Sequence, residues 1–223
     1  LPTWAEKYAF IEAGLTKESM EVFAILPEAI QQQLFLERDP HGNVQVSKIE
    51  TEKLLIEMVD ARLKEMKKAV FSGSFDPITK GHENIVLKAM PLFDEIIIAI
   101  GYNIMKKNAY TLEQRMRWIE DVFADYPKVK VTCYQGLTVD FCKEVGADFI
   151  IRGLRGPADL EYETMIAEAN KKINPDVETL FFLTDPNLRC VSSTVVRDLL
   201  KHNTSIVEFV PSAICDDVTE ASK

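Results

Sequence analysis

The chain has 223 residues, 47% of them hydrophobic, enough to bury a sizeable core in one large domain or a medium domain plus an appendage. Its 35 acidic against 26 basic residues leave a net charge of -9, which argues against broad nucleic-acid binding, since that requires a basic surface to displace phosphate counterions. No apolar run reaches the roughly 18 residues that cross a bilayer, and no basic and apolar leader opens the chain, so no membrane association is expected and the cytoplasm is the expected location.

Residues 1–65 read as a small, mainly helical appendage. They hold 7 basic and 12 acidic residues, a charge of -5 that leaves -4 for the rest. Thr16 and Pro27 mark helix starts, the run Asp39-Pro40-His41-Gly42-Asn43 is a turn, and Ser47-Lys48-Ile49-Glu50 is a capping box. Beyond it Ile49, Ile56, Val59, Leu63 and Met66 recur on one helical face that needs a partner surface. His41 has no companion ligand and reads as structural.

Residues 66–223 alternate strand and helix signals. Ala69-Val70-Phe71 reads as a buried parallel strand, Gly73 and Pro77 turn the chain, and residues 83–92 have the apolar spacing of a helix. A strand, a tight turn and a helix start build an anion cradle, because unpartnered N–H groups at the helix N-terminus carry roughly half a positive charge. His82 stands at its rim. A lone histidine there would more often be a surface or helix-start residue, but its surroundings favour a phosphate site.

Further strands are expected at 95–101, 129–134, 148–151 and 179–183, which makes a five-stranded parallel sheet with helices on both faces. Ligands bind such sheets beyond the carboxyl ends of the strands. After the second strand comes the pair Lys106-Lys107, either a solvated loop or ligand cations, and then Thr111 as N-cap of the helix carrying Arg115 and Trp118. Gly136-Leu137-Thr138 opens the next helix, an ordinary junction on its own. The fourth strand runs into Ile151-Arg152-Gly153-Leu154-Arg155-Gly156, followed by Asp159, Glu161 and Glu163. Two arginines around a glycine at a strand end can grip one polyanion from two sides; the alternative is a surface salt-bridge cluster with those acids. Leu188 and then Ser192-Ser193-Thr194 precede a helix over 195–201, where hydroxyls serve equally as caps and phosphate donors. Cys133, Cys142, Cys190 and Cys215 lack C-x-x-C spacing, so neither zinc nor a disulfide framework is indicated and buried free thiols are expected.

The run Gly73-Ser74-Phe75-Asp76-Pro77-Ile78-Thr79-Lys80-Gly81-His82 resembles the signature of the nucleotidyltransferase superfamily, in wording close to that of bacterial phosphopantetheine adenylyltransferase. I-R-G-L-R with the following D-x-E-Y-E is similar to that family's own motif. The resemblance covers about residues 66–218 with the main motifs in order; Ser74 stands where threonine is common and Ser72 where proline often precedes the glycine. It implies a Rossmann-like α/β nucleotidyltransferase fold and transfer of the adenylyl group of ATP to 4'-phosphopantetheine, giving dephospho-coenzyme A and pyrophosphate.

By the same resemblance, His82, Lys106 and Ser74 are catalytic. Ser74, Phe75, His82, Gly153, Leu154, Arg155, Glu163, Leu188, Ser192, Ser193 and Thr194 bind ATP; Ser74, Lys106, Leu137, Thr138 and Arg152 bind the acceptor. Mg²⁺ is expected on the ATP phosphates without dedicated protein ligands, because it keeps waters and uses few protein groups. A homo-oligomer, typically a hexamer, and coenzyme A as a possible feedback ligand are also implied.

A nucleotidyltransferase for nicotinamide mononucleotide or a cytidylyl acceptor would share the first motif but not the second. A helical interaction module on an inactive scaffold is the non-enzymatic alternative. Residues 38–59 resemble a helical stretch of pyrophosphate-dependent phosphofructokinase without that enzyme's catalytic motifs. With no Gly/Pro/Ser linker before Lys67-Lys68 and Leu1 at the start, the expectation is a fusion whose appendage is a packing module; a natural regulatory domain is the alternative.

Overall fold

A computed structural model describes residues 66–102 and 107–222. The helical reading of residues 1–65, the expected boundary after them, and Lys106 lie outside the described residues. Residues 67–223 form one compact unit.

Five strands, β1 (Lys68–Gly73), β2 (Glu95–Gly101), β3 (Val129–Tyr134), β4 (Phe149–Leu154) and β5 (Glu178–Leu183), form one parallel sheet in the order β3-β2-β1-β4-β5. The helices between them are α1 (Lys80–Ala89), α2 (Leu112–Val122), α3 (Thr138–Val145) and α4 (Pro157–Ile173), with α5 (Ser193–Lys201) and α6 (Cys215–Glu220) after the last strand. This is the Rossmann-like fold expected. Strand order reverses direction between β1 and β4, so a crevice opens at their carboxyl ends.

The period of two along each strand sorts the core into two faces. Ala69, Phe71, Ile96, Ile98, Ile100 and Ile151 join one cluster with Ile85, Trp118 and Val196 from α1, α2 and α5. Val70, Ile97, Ala99 and Ile150 join the other with Val139, Phe141 and Cys142 from α3. Of the cysteines expected to be buried, only Cys142 is. Cys133 and Cys190 are exposed and Cys215 is intermediate, because Cys133 rides on the edge strand β3 and Cys190 on a loop before α5.

Two boundaries differ from the sequence pattern. Helix α1 starts at Lys80 instead of residue 83, since Thr79 is its N-cap and His82 takes the N3 place of a capping box. Strand β4 continues through Arg152, Gly153 and Leu154, which pair with Phe181, Phe182 and Leu183 of β5; ladder pairing outweighs the poor strand propensity of Gly. Gly153 is also a packing requirement. A Cβ there would stand 2.8 Å from Ile85 Cγ1. Gly153→Ala should therefore cost about 1–3 kcal/mol through overpacking, and combined with Ile85→Ala the two losses should be less than additive, as read by thermal melts of both single variants and the double.

Candidate active site

The turn from β1 to α1 builds the centre of the crevice. Phe75 sits at φ +44, a left-handed conformation that costs a non-glycine residue on the order of 1 kcal/mol or more. The surroundings hold it there. Its ring is buried edge-on against Phe71 (centroids 5.4 Å apart) and His82 (5.1 Å), and a side chain on Gly73 would meet that ring at 3.1 Å. Arg115, 1% exposed on α2, donates from Nη1 to the Ser74 carbonyl at 2.7 Å. On the other side Arg197 of α5 donates to the Asp76 carbonyl, and Ser193 donates its hydroxyl proton to the Pro77 carbonyl at 2.7 Å. The Asp76 carboxylate in turn accepts from the amides of Ala109 (2.9 Å) and Tyr110 (3.0 Å).

His82 is half-buried in the first turn of α1. Its Nδ1 accepts the Thr79 amide proton at 3.1 Å, and the Thr79 hydroxyl lies 3.0 Å away. A peptide N–H can only donate, so Nδ1 is unprotonated and the neutral ring carries its proton on Nε2. Burial of the ring lowers its pKa to about 4, and the charges of Arg155 and then Arg152 add to the shift. The ring is thus neutral at physiological pH and a donor through Nε2.

This shift has a stability consequence. The folded value lies below the ordinary value of 6.5, so between pH 6.5 and about 4 the unfolded chain binds more protons. Stability from this group is fully present above pH 6.5 and falls as pH drops toward 4. His82→Gln is expected to flatten the pH dependence of the unfolding midpoint in that window, read as the difference between variant and parent melts.

Two adjoining clefts open at the strand ends. The first, about 430 Å³, is lined by His82, Thr79 and Gly81 at the start of α1, by Ser192, Ser193, Thr194 and Arg197 around the start of α5, and by Phe75, Gly153 and Arg155. A side chain on Gly81 would lie 3.6 Å from the Val191 carbonyl, so two helix N-termini converge on this space. That is an anion site built from peptide dipoles and guanidinium groups. Ser192 caps α5 by accepting the Val195 amide proton at 3.2 Å. Of the expected ATP residues, Leu154 is buried in β4 and Leu188 lies in a 3-10 turn; neither lines the cleft.

The second cleft, about 400 Å³, runs between the ends of β2 and β3 and α4, lined by Gly101, Tyr134, Gly136, Leu137, Thr138, Ile166, Ala167 and Asn170. Tyr134 meets the Thr138 hydroxyl at 2.7 Å and stacks on Phe141 at 4.7 Å. The α4 residues are Glu163 and those three, four and seven places after it, a single helical stripe. That stripe faces an open cleft, which explains why no residue of this 17-residue helix is buried.

Ser72, Gly73, Ser74, Arg152 and Glu163 line both clefts. Arg152 grips Glu163 with its fork, Nε to Oε2 at 2.6 Å and Nη2 to Oε1 at 2.8 Å, while Nη1 donates to the Ser72 carbonyl at 2.8 Å. Arg155 pairs with Asp159 at 2.9 and 3.0 Å. Both arginines thus stand at the crevice and both hold acids, so the two sequence-level alternatives for them coexist.

The structure gathers Ser74, Phe75, His82, Arg152, Gly153, Arg155, Glu163, Ser192, Ser193 and Thr194 around the first cleft, and Leu137 and Thr138 around the second. Sequence reasoning missed Asp76, Arg115 and Arg197 as supports of the turn, and Ile166, Ala167 and Asn170 as cleft lining. The helical spacing from Glu163 was the signal available for the last three.

The Cytidylyltransferase-like family model matches residues 70–199. The chain is 50% identical over 149 residues to a phosphopantetheine adenylyltransferase of Flavobacterium psychrophilum, covering 67% of this chain and 98% of the relative. This chain belongs to the phosphopantetheine adenylyltransferase family. A Staphylococcus carnosus phosphopantetheine adenylyltransferase is 48% identical over 147 residues, 66% of this chain and 91% of the relative. Among solved structures, one described as a nicotinate-nucleotide adenylyltransferase of Vibrio parahaemolyticus superposes with a TM-score of 0.54 at 17% identity, over 70% of this chain and 95% of that one, a likeness of fold. The family-model match falls on the sheet-bearing region.

Proposed function

We propose that this protein transfers the adenylyl group of ATP to 4'-phosphopantetheine, giving dephospho-coenzyme A and pyrophosphate, a step of coenzyme A synthesis. The observation that carries the reading is the pair of clefts sharing one wall. One offers two helix N-termini, His82 and arginines to a polyphosphate; the other is a space with apolar and amide lining suited to a pantetheine arm.

The acceptor's phosphate oxygen attacks the α-phosphorus in line; the new P–O bond forms as the α–β bridge breaks, and pyrophosphate leaves. The attacking group is already an anion, so no covalent enzyme intermediate is required. The protein aligns reactants and stabilises charge. His82 donates from Nε2 to an α-phosphate oxygen, and Ser74, which lines both clefts, orients the two reactants. Lys106 bridges the acceptor and α-phosphates in this reading. Arg152, Leu137 and Thr138 hold the acceptor. Phe75, Arg155, Glu163, Ser192, Ser193 and Thr194 hold ATP, with Gly153 contributing through the backbone.

The cleft fits a nucleotide that brings its own Mg²⁺. Its polar groups are mainly donors, and the carboxylates of Glu163 and Asp159 are engaged by arginines. The ion would neutralise charge on the leaving pyrophosphate. Helix α4 leaves Leu160, Tyr162, Met165 and Ile173 between 46% and 60% exposed, an area that supports a homo-oligomer. Among the described residues no helix is long and apolar enough to cross a membrane, and we place the enzyme in the cytoplasm. Coenzyme A, which carries both pantetheine and adenylyl parts, is the expected feedback ligand. Residues 1–65 are proposed to be a fused packing module.

The test is pyrophosphate release from ATP with 4'-phosphopantetheine or nicotinamide mononucleotide as acceptor. Release that depends on 4'-phosphopantetheine supports the reading. Release with nicotinamide mononucleotide alone would move the chain to another branch of the superfamily, and silence with both would sink the enzymatic reading.

A further inference from the structure

The wall between the clefts is an ion pair, and its geometry carries a consequence for how two ligands bind together. Arg152 has five N–H donors. Nε and one Nη2 hydrogen go to Glu163, and Nη1 donates to the Ser72 carbonyl at 2.8 Å and lies 3.3 Å from the Ser72 hydroxyl. A single Nη2 hydrogen remains. A phosphate approaching Arg152 from the second cleft obtains a two-pronged grip only by displacing Glu163 or the Ser72 contacts. A group approaching Glu163 from the first cleft meets a carboxylate whose two oxygens are both occupied.

The pair is also shielded. The side chains are 25% and 14% exposed, so it is neither a freely solvated surface pair nor strongly screened by salt. Breaking it without compensation is unfavourable, since each partner is left half-desolvated and uncompensated.

Resting on the functional reading above, we propose that the Arg152–Glu163 pair couples the two clefts, so that ATP and 4'-phosphopantetheine each strengthen the other's binding. The first ligand to arrive breaks the pair. The second then finds its own partner already released, as when a first ligand removes the cost of reaching a binding-competent state. Glu163 is in this sense a positioning residue for Arg152, holding the guanidinium at the shared wall until the acceptor phosphate takes over. By linkage the strengthening is the same in both directions.

The test is calorimetric binding of the non-hydrolysable α,β-methylene analogue of ATP to the full chain, alone and with saturating 4'-phosphopantetheine, and the reverse titration. In the parent protein the affinity should rise about fivefold or more, equally in both directions. Glu163→Gln keeps the length and an acceptor oxygen but not the charge, and should bring the factor below about twofold. A merely structural role for the pair would lower the melting temperature without moving this ratio. A factor of one, or mutual weakening, in the parent protein with both ligands bound would overturn the proposal without touching the assigned reaction; so would an unchanged factor in Glu163→Gln. Should that variant fail to fold, Arg152→Lys gives up the fork, and an unchanged factor there overturns the proposal equally. If 4'-phosphopantetheine neither binds nor supports pyrophosphate release, the functional reading falls first and the coupling with it.

Discussion

His82→Ala is expected to lower kcat for pyrophosphate release by about 10²- to 10³-fold, the usual effect of removing one preorganised donor to developing oxyanion charge. The reason lies in how the donor is held. The Thr79 amide occupies Nδ1, fixing the tautomer, and Phe75 and Phe71 pack beside the ring. Burial keeps the ring neutral well below physiological pH, so no proton need be lost before it donates. KM for ATP should change much less than kcat, because charge on the α-phosphate oxygens grows chiefly in the transition state. His82→Asn offers an amide N–H near the same place and should recover part of the loss. Steady-state kinetics with both substrates varied checks this; a His82→Ala protein within threefold of the parent in kcat would remove the histidine from the mechanism.

Asp76→Ala should be the most destabilising single change near the site, costing roughly 3 kcal/mol. The buried Tyr110 N–H loses its acceptor, at about 1–3 kcal/mol, and the Ala109 N–H, on an exposed residue, loses a charge-assisted hydrogen bond at a smaller cost because water can replace it. Arg197 also loses the carboxylate 3.8 Å from its Nη1. For a chain of this size the midpoint should fall by about 6–12 °C. Asp76→Asn retains one good acceptor oxygen and should lose about half as much. A circular dichroism melt decides it, and an alanine variant within 2 °C of the parent would show that those amides find other partners. The change should depress activity as well, since Asp76 is inside the turn that presents Ser74 and Phe75.

Much of this site was readable in the chain, and the reason is local. Strands such as Glu95–Gly101 are buried on both faces and therefore read as unbroken apolar runs. Thr111 caps α2 through the Gln114 amide three residues on, a signal contained in four letters. The turn holding Ser74 and His82 is equally short. The supports of that turn were hidden because they act across long separations: Arg115 reaches the Ser74 carbonyl over 41 residues, and Arg197 reaches the Asp76 carbonyl over 121. Neither arginine has a periodicity or a neighbouring motif that predicts its target. Glu163 differs, since its pairing with an arginine eleven residues away was one of the two alternatives that the sequence left open beside an ATP contact. Strand β4 ran past Ile151 because β5 supplied partners that propensity cannot anticipate.

The order of the strands also bears on how the protein comes into being. β1 lies in the middle of the sheet, and its second neighbour is β4; Ser72 and Arg152, joined at the crevice, are 80 residues apart. During synthesis β1, β2 and β3 can pair early, but one side of β1 then stays bare until Phe149–Leu154 has been made. That side belongs to a strand whose Ala69, Val70 and Phe71 end up almost wholly buried. A ribosome paused before β4 thus holds an apolar edge able to pair with a stray strand from another chain. Nascent molecules of this protein are expected to draw on chaperones during that interval, and truncations ending before residue 149 should accumulate as aggregates.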